Sequence, residues 1–475
     1  MNVLLCRAWQ GLVLAGSALG QVSLGAELPK AAWQAFAQGE PVAIGTDAAP
    51  KCTVFAFYTR PDRASAMPSD GDYFAGLQQR FGERGLVVVA VVADAKGAPL
   101  ERWPGCRVAV DEEQATTGRW LTDFEGGWHV VLADRAGKAA FLGSPDAGLV
   151  DAIDAVLAGR EVGEPERQAF ALRHELPDSF DDATADVVAP LAAAVAHAPR
   201  DGLAQGLLYL AQATKANDAK AAAAVLAAAL ERLAGEGRPL ATFADLALRG
   251  DPRRPGLAAA CKPVLQAAAK ATPNDVPLQL AFLRALVLAG DEREVGRQSM
   301  KLRKAVTTTA EHCIEFAAIL TAAANAPVHR DLATMALERA AALAAPPRLL
   351  TAARYGVATR CANDGEAGKK LLDEYLRDTD ARVTINNDCW YLMTQLPTMG
   401  RCDPFAAALA ERMLEQKEGM DYFEFDTAAL AMFLVGRFAE AVSLQETAIE
   451  KGGKGNPEYT ERLNRYKAGQ AQPPR

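Results

Sequence analysis

The sequence offers few residues whose types and spacing could do chemistry, and the clearest are two arginines in a short polar turn. Arg60 and Arg63 flank Pro61 and Asp62. Two guanidinium groups this close together can bind a carboxylate, a sulfonate or an acidic peptide loop through charge-assisted hydrogen bonds. The alternative is a solvated turn in which Asp62 pairs locally and caps the helix that follows. Arg60, Asp62 and Arg63 are therefore candidate binding residues.

The eight cysteines and five histidines form no pattern that is typical of a metal or catalytic site. There is no Cys-x-x-Cys pair, and no two histidines are three or four residues apart. Cys52 and Cys106 each precede a predicted strand, so they either form a disulfide or remain buried single thiols. The sequence therefore predicts no catalytic residue, no metal site and no cofactor.

The arginine turn lies within a predicted βαβ unit. Residues 53–58 form an apolar run with the length and the β-branched or aromatic character of a buried strand. Residues 67–81 place apolar side chains at helical intervals, and Gly85 ends this predicted helix. A second apolar run follows at 86–92. Because parallel strands in the middle of a sheet are buried on both faces, the pattern predicts an α/β fold.

The same stretch resembles the thioredoxin-like redoxins of the TlpA and AhpC/TSA type, over roughly residues 40 to 160. The residues that carry the resemblance are Phe55, Met67-Pro68, the run 87–92, Asp94, 107–111 and 127–137. It implies a thioredoxin-like fold in which Arg60 and Arg63 stand where the family has its two redox cysteines. A thiolate is the nucleophile of disulfide exchange, and a guanidinium cannot replace it. The resemblance therefore implies no dithiol chemistry at this turn.

The family also suggests what surrounds the turn. In these proteins the turn leads into a helix N-terminus, where backbone N–H groups and the helix dipole favour anions. Trp128 stands at the position of the family's cis-proline, where it is either an exposed binding anchor or a buried side chain that fills the space. Trp128 and its neighbour His129 complete the candidate binding residues, although a structural role for His129 is the simpler interpretation.

Composition and the N-terminal segment limit where the protein acts. A net charge of −8 and a pI near 5.4 argue against nucleic acid and anionic membrane surfaces as partners. Residues 1–26 contain a short apolar segment that ends in small residues, which predicts a signal peptide with cleavage near Ala26. A hydrophobic N-terminal helix is the alternative. No later run is as long as an integral membrane span, so a periplasmic or secreted protein is predicted.

The second part of the chain is predicted to be helical throughout. First helices of a repeated pair begin near Pro277, Cys313, Thr351, Asn387 and Phe425, a period of about 37 residues that is typical of stacked helical hairpins. A second helix is predicted some 15 residues later, as at 332–343, 368–376, 404–414 and 438–449. Residues 428–449 resemble the tetratricopeptide (TPR) pattern, with Gly436 at the turn, Phe438 after it and Ala441 where the helices meet. In the preceding unit, Trp390 and Tyr391 are predicted to be the aromatic packing pair.

Together these patterns divide the chain into an α/β thioredoxin-like domain followed by an all-α, TPR-like helical-hairpin solenoid. The predicted segments are a signal peptide at 1–26, a thioredoxin-like domain at 27–160, a linker at 161–190, a TPR-like repeat domain at 191–468 and a disordered tail at 469–475. Within the first domain, residues 31–38 are predicted to form a short helix.

Two functions from different classes remain. The first is a non-catalytic scaffold that binds a protein or peptide partner, because helical hairpin arrays offer concave surfaces and need no cofactor. The second is a thiol-disulfide oxidoreductase or peroxidase of the redoxin family that uses Cys52 or Cys106. An insulin-reduction assay separates the two.

Overall fold

The computed structural model of the chain describes two compact units. The residues described are 22–31, 33, 35–58, 68–92, 103–111, 115–120, 128–180, 185–216, 218–250, 256–377, 381–395 and 398–470. The first unit takes the described residues up to Leu172 together with Ala193–Ala204. The second unit takes Arg173–Ala192 and the described residues from Gln205 onward.

The first unit is built on a mixed six-stranded sheet. Its strands are β1 (Ala35–Gln38), β2 (Cys52–Tyr58), β3 (Leu86–Val92), β4 (Arg107–Val110), β5 (Trp128–Asp134) and β6 (Ala139–Gly143). The strand order is β1-β4-β3-β2-β5-β6. Strands β2, β3 and β4 run parallel, whereas β1, β5 and β6 each pair antiparallel with their neighbours. The two strands predicted from the apolar runs at 53–58 and 86–92 are confirmed as β2 and β3.

Helices cover the sheet because both of its faces are apolar. The helices of this part of the chain are α1 (Pro68–Phe81), α2 (Ala115–Trp120), α3 (Leu149–Leu157) and α4 (Glu164–Ser179). One face of the sheet packs against Phe74 of α1 and Ile153 of α3. The other face packs against Trp120 of α2, whose ring contacts Phe55 edge-on at 5.2 Å between centroids. The alternation of side chains along each strand thus fills two cores.

The helix predicted at residues 31–38 is wrong, because Ala35–Gln38 forms the edge strand β1. This segment pairs antiparallel with β4, and the Gln38 amide donates hydrogen bonds to the carbonyl oxygens of Trp103 and Cys106, at 2.9 and 2.8 Å. Strand pairing with residues about 70 positions away decides this conformation, and local helix propensity does not encode that pairing.

A second chain segment returns to the sheet unit and is fixed there by charge. Arg200 pairs with Asp151 at 2.8 Å and with Asp154 at 2.6 Å, both on α3. Arg84 binds the other oxygen of Asp154 at 2.7 Å. Partial burial alone would raise the pKa of Asp154, but the bonds from Arg200 and Arg84 lower it below its usual value. The two ion pairs of Arg200 tie the segment Ala193–Ala204 to α3 of the first unit.

The described residues from 185 onward form helices and short connections. The helices are α5 (Val188–His197), α6 (Gly202–Leu210), α7 (Ala219–Arg232), α8 (Gly237–Gly250), α9 (Leu257–Ala271), α10 (Val276–Leu288), α11 (Glu292–Leu302), α12 (Ala310–Thr321), α13 (Arg330–Ala342), α14 (Pro347–Gly356), α15 (Gly365–Leu376), α16 (Arg382–Thr394), α17 (Asp403–Leu414), α18 (Tyr422–Leu434), α19 (Phe438–Ala448) and α20 (Pro457–Gln470). Short π-helical turns extend α6 (Ala211–Lys215), α14 (Val357–Cys361) and α19 (Ile449–Gly453).

Successive helices of the second unit pack as hairpins. The pairs α12–α13, α16–α17 and α18–α19 are each joined by a short connection and pack against one another. The predicted first helices correspond to α10, α12, α14, α16 and α18, and the predicted second helices at 332–343, 368–376, 404–414 and 438–449 correspond to α13, α15, α17 and α19. The helical-hairpin architecture predicted from the period is therefore confirmed. In the segment predicted as a linker, residues 164–179 form α4.

None of the helices within the described residues is both long and apolar enough to cross a membrane.

Candidate binding groove of the helical unit

The predicted binding residues of the sheet unit fall largely outside the part of the chain that the structure describes. Arg60, Asp62 and Arg63 lie outside it, as do the side chains of Trp128 and His129. The backbone of β5 places Trp128 opposite Tyr58 and His129 opposite Phe57. The strand register thus brings Trp128 next to the strand that leads into the arginine turn.

Cys52 and Cys106 are buried free thiols and do not form the disulfide considered from the sequence. Strand β3 lies between β2, where Cys52 begins, and β4, which follows Cys106. Because neighbouring strands are about 4.8 Å apart, residues two strands apart lie roughly 10 Å from each other, beyond the reach of a disulfide at about 7 Å. Burial raises the pKa of each thiol to about 12, and Arg84 offsets this only slightly for Cys52.

The helical unit contains a cavity of about 310 Å³, which we call the groove. It is lined by Phe180, Ala213, Thr214, Lys215, Arg249, Gly250, Trp390, Met393, Thr394, Met399, Leu430, Leu434, Pro457, Glu458, Glu461, Arg462 and Arg465. Most of these residues come from the turn after α6, the end of α8, and helices α16, α18 and α20. Helices α16 and α18 are first helices of the array, and α20 is the last helix of the unit.

Apolar residues of α16 and α18 form one wall of the groove. Trp390 and Thr394 are four residues apart on α16, and Leu430 and Leu434 occupy the equivalent positions 40 residues later on α18. Residues at this spacing share one face of a helix. All four are half-buried, so they leave apolar surface open to the cavity.

A hydrogen-bonded ion pair fixes Arg462 of α20, which also lines the groove. The Arg462 guanidinium pairs with the buried Asp426 carboxylate, which also accepts a 2.9 Å hydrogen bond from the Gln445 amide. The same guanidinium lies 5.1 Å from the Trp390 ring centroid and 5.6 Å from that of Tyr459. Burial alone would lower the pKa of Arg462, but the charge of Asp426 raises it above its usual value. Because Arg462 is held by a carboxylate and two rings, the position of Trp390 is fixed as well.

The charges that line the groove are largely balanced by ion pairs. Arg249 pairs with Asp245, and Arg462 pairs with Asp426 and Glu458. The Lys215 ammonium lies 5.5 Å from the Phe180 ring centroid, and the Arg465 guanidinium lies 5.0 Å from that of Phe433. The cationic groups of the groove are therefore held in fixed positions by carboxylates and rings.

One end of the groove is closed by the turn Thr398–Arg401, which connects α16 to α17. Arg249 of α8 donates a 3.0 Å hydrogen bond to the Met399 carbonyl, and Arg284 of α10 reaches the Gly400 carbonyl at 3.4 Å. Gly400 has a φ of +69°, and a Cβ there would lie 3.0 Å from the Arg249 carbonyl oxygen. Only glycine fits this position without strain, because both the left-handed backbone and the close contact exclude a side chain.

A buried carboxylate completes this closure. Glu315 of α12 pairs with both Arg284 and Arg401, and each of these three side chains is at least nine-tenths buried. Arg401 also contacts Glu311 at 3.3 Å, and Asp245 binds Arg249 at 2.7 Å. Burial alone would raise the pKa of Glu315, but the charges of Arg284 and Arg401 lower it far below the usual value. Glu315 is thus a permanent anion that joins α10, α12 and the turn.

The sequence analysis missed the groove, although it identified two of its helices. Trp390 and Tyr391 were predicted to pack together in the repeat, but Tyr391 is 51% exposed and Trp390 lines the groove. The reason is that α16 buries Cys389 and Leu392 instead. The sequence did contain one indication of the groove, because Trp390 and Leu430 occupy equivalent positions of two successive first helices. Which cations face them could not be read without the helix packing.

No protein-family model matches the chain, and the search of curated proteins gave no match. Among solved structures, the chain is similar to the TPR domain of P58(IPK), with 14% sequence identity and a TM-score of 0.18. That likeness covers 65% of this chain and 98% of the other. It is too weak to support an argument about this chain, so the interpretation of the helical unit depends on its own hairpins and groove.

Proposed function

We propose that this protein is an exported, non-catalytic scaffold whose TPR-like helical unit binds a protein or peptide partner in the groove. The observation that carries the proposal is the groove itself, in which open apolar side chains of α16 and α18 face fixed cations of α8 and α20. Small apolar cavities with a few placed polar groups are the usual form of a binding site. The regular hairpins of α12 to α19 support the TPR-like interpretation of the unit.

The sheet unit is proposed to be a thioredoxin-like domain without redox activity. The proposal is supported by the parallel β2-α1-β3 unit, the antiparallel β5–β6 hairpin and the closing helix α3, which follow one another in the order that the resemblance implies. Its binding residues would be Arg60, Asp62 and Arg63, with Trp128 and His129 at the start of β5.

The redox alternative is disfavoured by the state of its two cysteines. Disulfide exchange requires an accessible thiolate. Cys52 is fully buried and Cys106 nearly so, and both have a pKa raised to about 12, so the thiolate is scarce at neutral pH. Native protein should therefore react with iodoacetamide at neither cysteine until it is unfolded. Insulin reduction that is lost in Cys52→Ser or Cys106→Ser would instead support the enzyme.

The binding proposal is tested by photo-crosslinking in the native cell envelope. A photo-reactive amino acid replaces Leu434, which lines the groove, and in a matched control it replaces Val328, which is 70% exposed in the turn between α12 and α13. A covalent adduct of defined mass is expected from the first position and not from the second. No adduct at Leu434, or the same adducts at both positions, would contradict the proposal.

A further inference from the structure

We propose that the groove selects an uncharged apolar side chain, so that the partner is a peptide segment that inserts one aromatic or branched aliphatic residue between uncharged neighbours. This inference deepens the proposed function and depends on it, because it names the part of the partner that the groove would hold. Three observations carry it. The charges around the groove cancel, its hydroxyl groups are already bonded within the protein, and its volume fits one bulky group.

The charges of the described residues around the groove sum to zero. Four cations line it, and four carboxylates match them, of which two line the groove and two pair with its arginines. The cations are Lys215, Arg249, Arg462 and Arg465, and the carboxylates are Glu458, Glu461, Asp245 and Asp426. A charged group that entered would lose its water shell and meet no excess of opposite charge, so its desolvation would not be compensated.

The cations of the groove are also engaged individually. Arg249 binds Asp245 at 2.7 Å and donates a 3.0 Å hydrogen bond to the Met399 carbonyl. Arg462 pairs with the buried Asp426 carboxylate and lies against two rings. The other two cations each lie over a ring and have further interactions, and they are Lys215 and Arg465. An anionic partner would have to compete with these contacts for the same donors.

The two hydroxyl groups of the lining are used within their own helices. Thr214 donates a 2.7 Å hydrogen bond to the Leu210 carbonyl, and Thr394 donates a 2.8 Å hydrogen bond to the Trp390 carbonyl. A polar group that displaced water from the groove would therefore lose hydrogen bonds and find few replacements, whereas an apolar group loses none. The groove thus rejects polar groups as well as charged ones.

The apolar lining and the size of the groove define the group that fits. Trp390, Leu430 and Leu434 leave apolar surface open to the cavity, and Met393 and Met399 add two thioethers. A thioether adapts its shape to a neighbouring ring and makes favourable contacts with it. The volume of about 310 Å³ is near the lower limit of the roughly 300–1,000 Å³ found for ligand pockets. The groove therefore holds a single bulky anchor.

Exposed apolar side chains on α16 and α18 indicate that this anchor belongs to a longer segment. Most of the large apolar residues that are exposed in the described part of the chain lie on these two helices, namely Val383, Tyr391, Tyr422 and Phe423. A free molecule that filled only the cavity would leave them in water. A peptide segment that continues from the anchor can cover several of them.

Two dyes that differ by one charge test the selection with the full-length protein. N-phenylnaphthylamine is uncharged, and anilinonaphthalenesulfonate carries the same rings with an added sulfonate. The uncharged dye should bind about tenfold more tightly, as measured by its fluorescence increase. Its affinity should not change with salt, because no charge is involved. Equal binding of the two dyes, or tighter binding of the sulfonate, would overturn the proposal.

Substitutions in the groove show whether the dye reports on this site. Leu434→Asp and Leu434→Lys should each weaken the uncharged dye about tenfold, because either sign of charge disturbs a balanced apolar site. Val328→Asp, in the exposed turn between α12 and α13, is the matched control and should not weaken it. Thr394→Val is a gentler variant, which should tighten binding because it replaces a polar group by an apolar one of the same shape. Circular dichroism checks the fold of each variant. Opposite effects of Asp and Lys at Leu434, or weaker binding in Thr394→Val, would contradict an uncharged occupant.

Displacement of the uncharged dye by peptides identifies the source of the anchor. Four Ser-Gly peptides of equal length carry a central Phe, a central Phe flanked by Asp, a central Phe flanked by Lys, or no Phe. The first should displace the dye at about tenfold lower concentration than any of the others. A dye that binds but is displaced by none of the peptides would show that the occupant is a free apolar molecule, and the inferred anchor would be wrong.

The two proposals can fail separately. Crosslinks from Leu434 together with equal displacement by the charged and uncharged peptides would leave the scaffold function standing and remove the uncharged anchor. An absence of crosslinks at Leu434 would remove the scaffold function itself.

Discussion

His312 is the residue whose environment predicts a pH-dependent stability. Its side chain lies on α12 beside Glu311, within the field of Arg238 and Arg401. Burial and these two arginines outweigh Glu311 and Glu315 and lower the pKa of His312 to about 4, from an ordinary value of 6.5. The unfolded chain therefore binds more protons than the folded chain between these two pH values, so stability is lost as pH falls through this window.

We expect a loss on the order of 1–3 kcal/mol from pH 7 to pH 4 that depends on His312. His312→Gln cannot take up the proton, so its unfolding free energy should be flatter over this range. Urea unfolding at several pH values measures the difference. A variant that keeps the wild-type slope would show that other groups cause it.

At the residue scale, the types and spacing of residues indicated which reactions a side chain could perform. They could not predict how buried that side chain is or which charges lie beside it. The absence of a Cys-x-x-Cys pair was readable, whereas the burial that raises the pKa of Cys52 depends on β3 and β5 on either side of it. Trp390 was recognised as a repeat aromatic. Its partner Arg462 lies 72 positions later on the last helix, and no local pattern joins the two.

At the scale of elements, the pairing of Glu315 with its two arginines is the contact that matters most for the stability of the helical unit. Glu315→Gln removes the carboxylate shared by two buried guanidiniums, Arg284 and Arg401, and breaking a buried ion pair in this way costs about 3–5 kcal/mol. We expect the urea midpoint of the helical unit to fall accordingly.

The control for that prediction is Glu415→Gln. Glu415 pairs with Arg412 one turn earlier on the surface of α17, where both side chains are about half exposed. Exposed pairs of this kind contribute about 0–1 kcal/mol, so the urea midpoint should barely change. Equal effects of the two substitutions would show that the Glu315 pairs are not the buried contact described above.

Elements were predicted well where the pattern was long and periodic. The hairpin helices α12 to α19 were each placed within a few residues, because their apolar spacing repeats and Gly or Pro separates them. Strand β1 was not predicted, since only its pairing with β4 makes this segment a strand. The turn Thr398–Arg401 could not have been assigned a role, because its partners are on helices more than 85 positions away.

At the scale of the whole molecule, the proposed export has a structural constraint at its cleavage site. Val22 is buried in the core beside β6, and Gly25 and Ala26 exchange hydrogen bonds with Ala139 at 2.7 and 2.8 Å. Cleavage after Ala26 would remove these contacts from the sheet unit. We therefore predict that the mature chain begins upstream of Val22, and mass spectrometry of the envelope protein measures this.

A mature chain that begins at Glu27 would contradict the prediction. A matched pair of recombinant proteins, one beginning at Val22 and the other at Glu27, supplies the energetic control. The shorter protein should be less stable by about 1–3 kcal/mol, since it lacks one buried valine and two backbone hydrogen bonds.

The turn Thr398–Arg401 changes how the helical unit should lose its structure. An array of hairpins that touch only their neighbours can fray from either end, and its stability is a sum of local terms. Here Arg249 and Arg284 hold carbonyl groups that are 150 and 116 positions away in the chain, so the hairpins in between cannot open without breaking those bonds. The unit should therefore melt in one cooperative step, with amide exchange of α10 and α16 slowed to the same extent, where a simple array would release its terminal hairpins first.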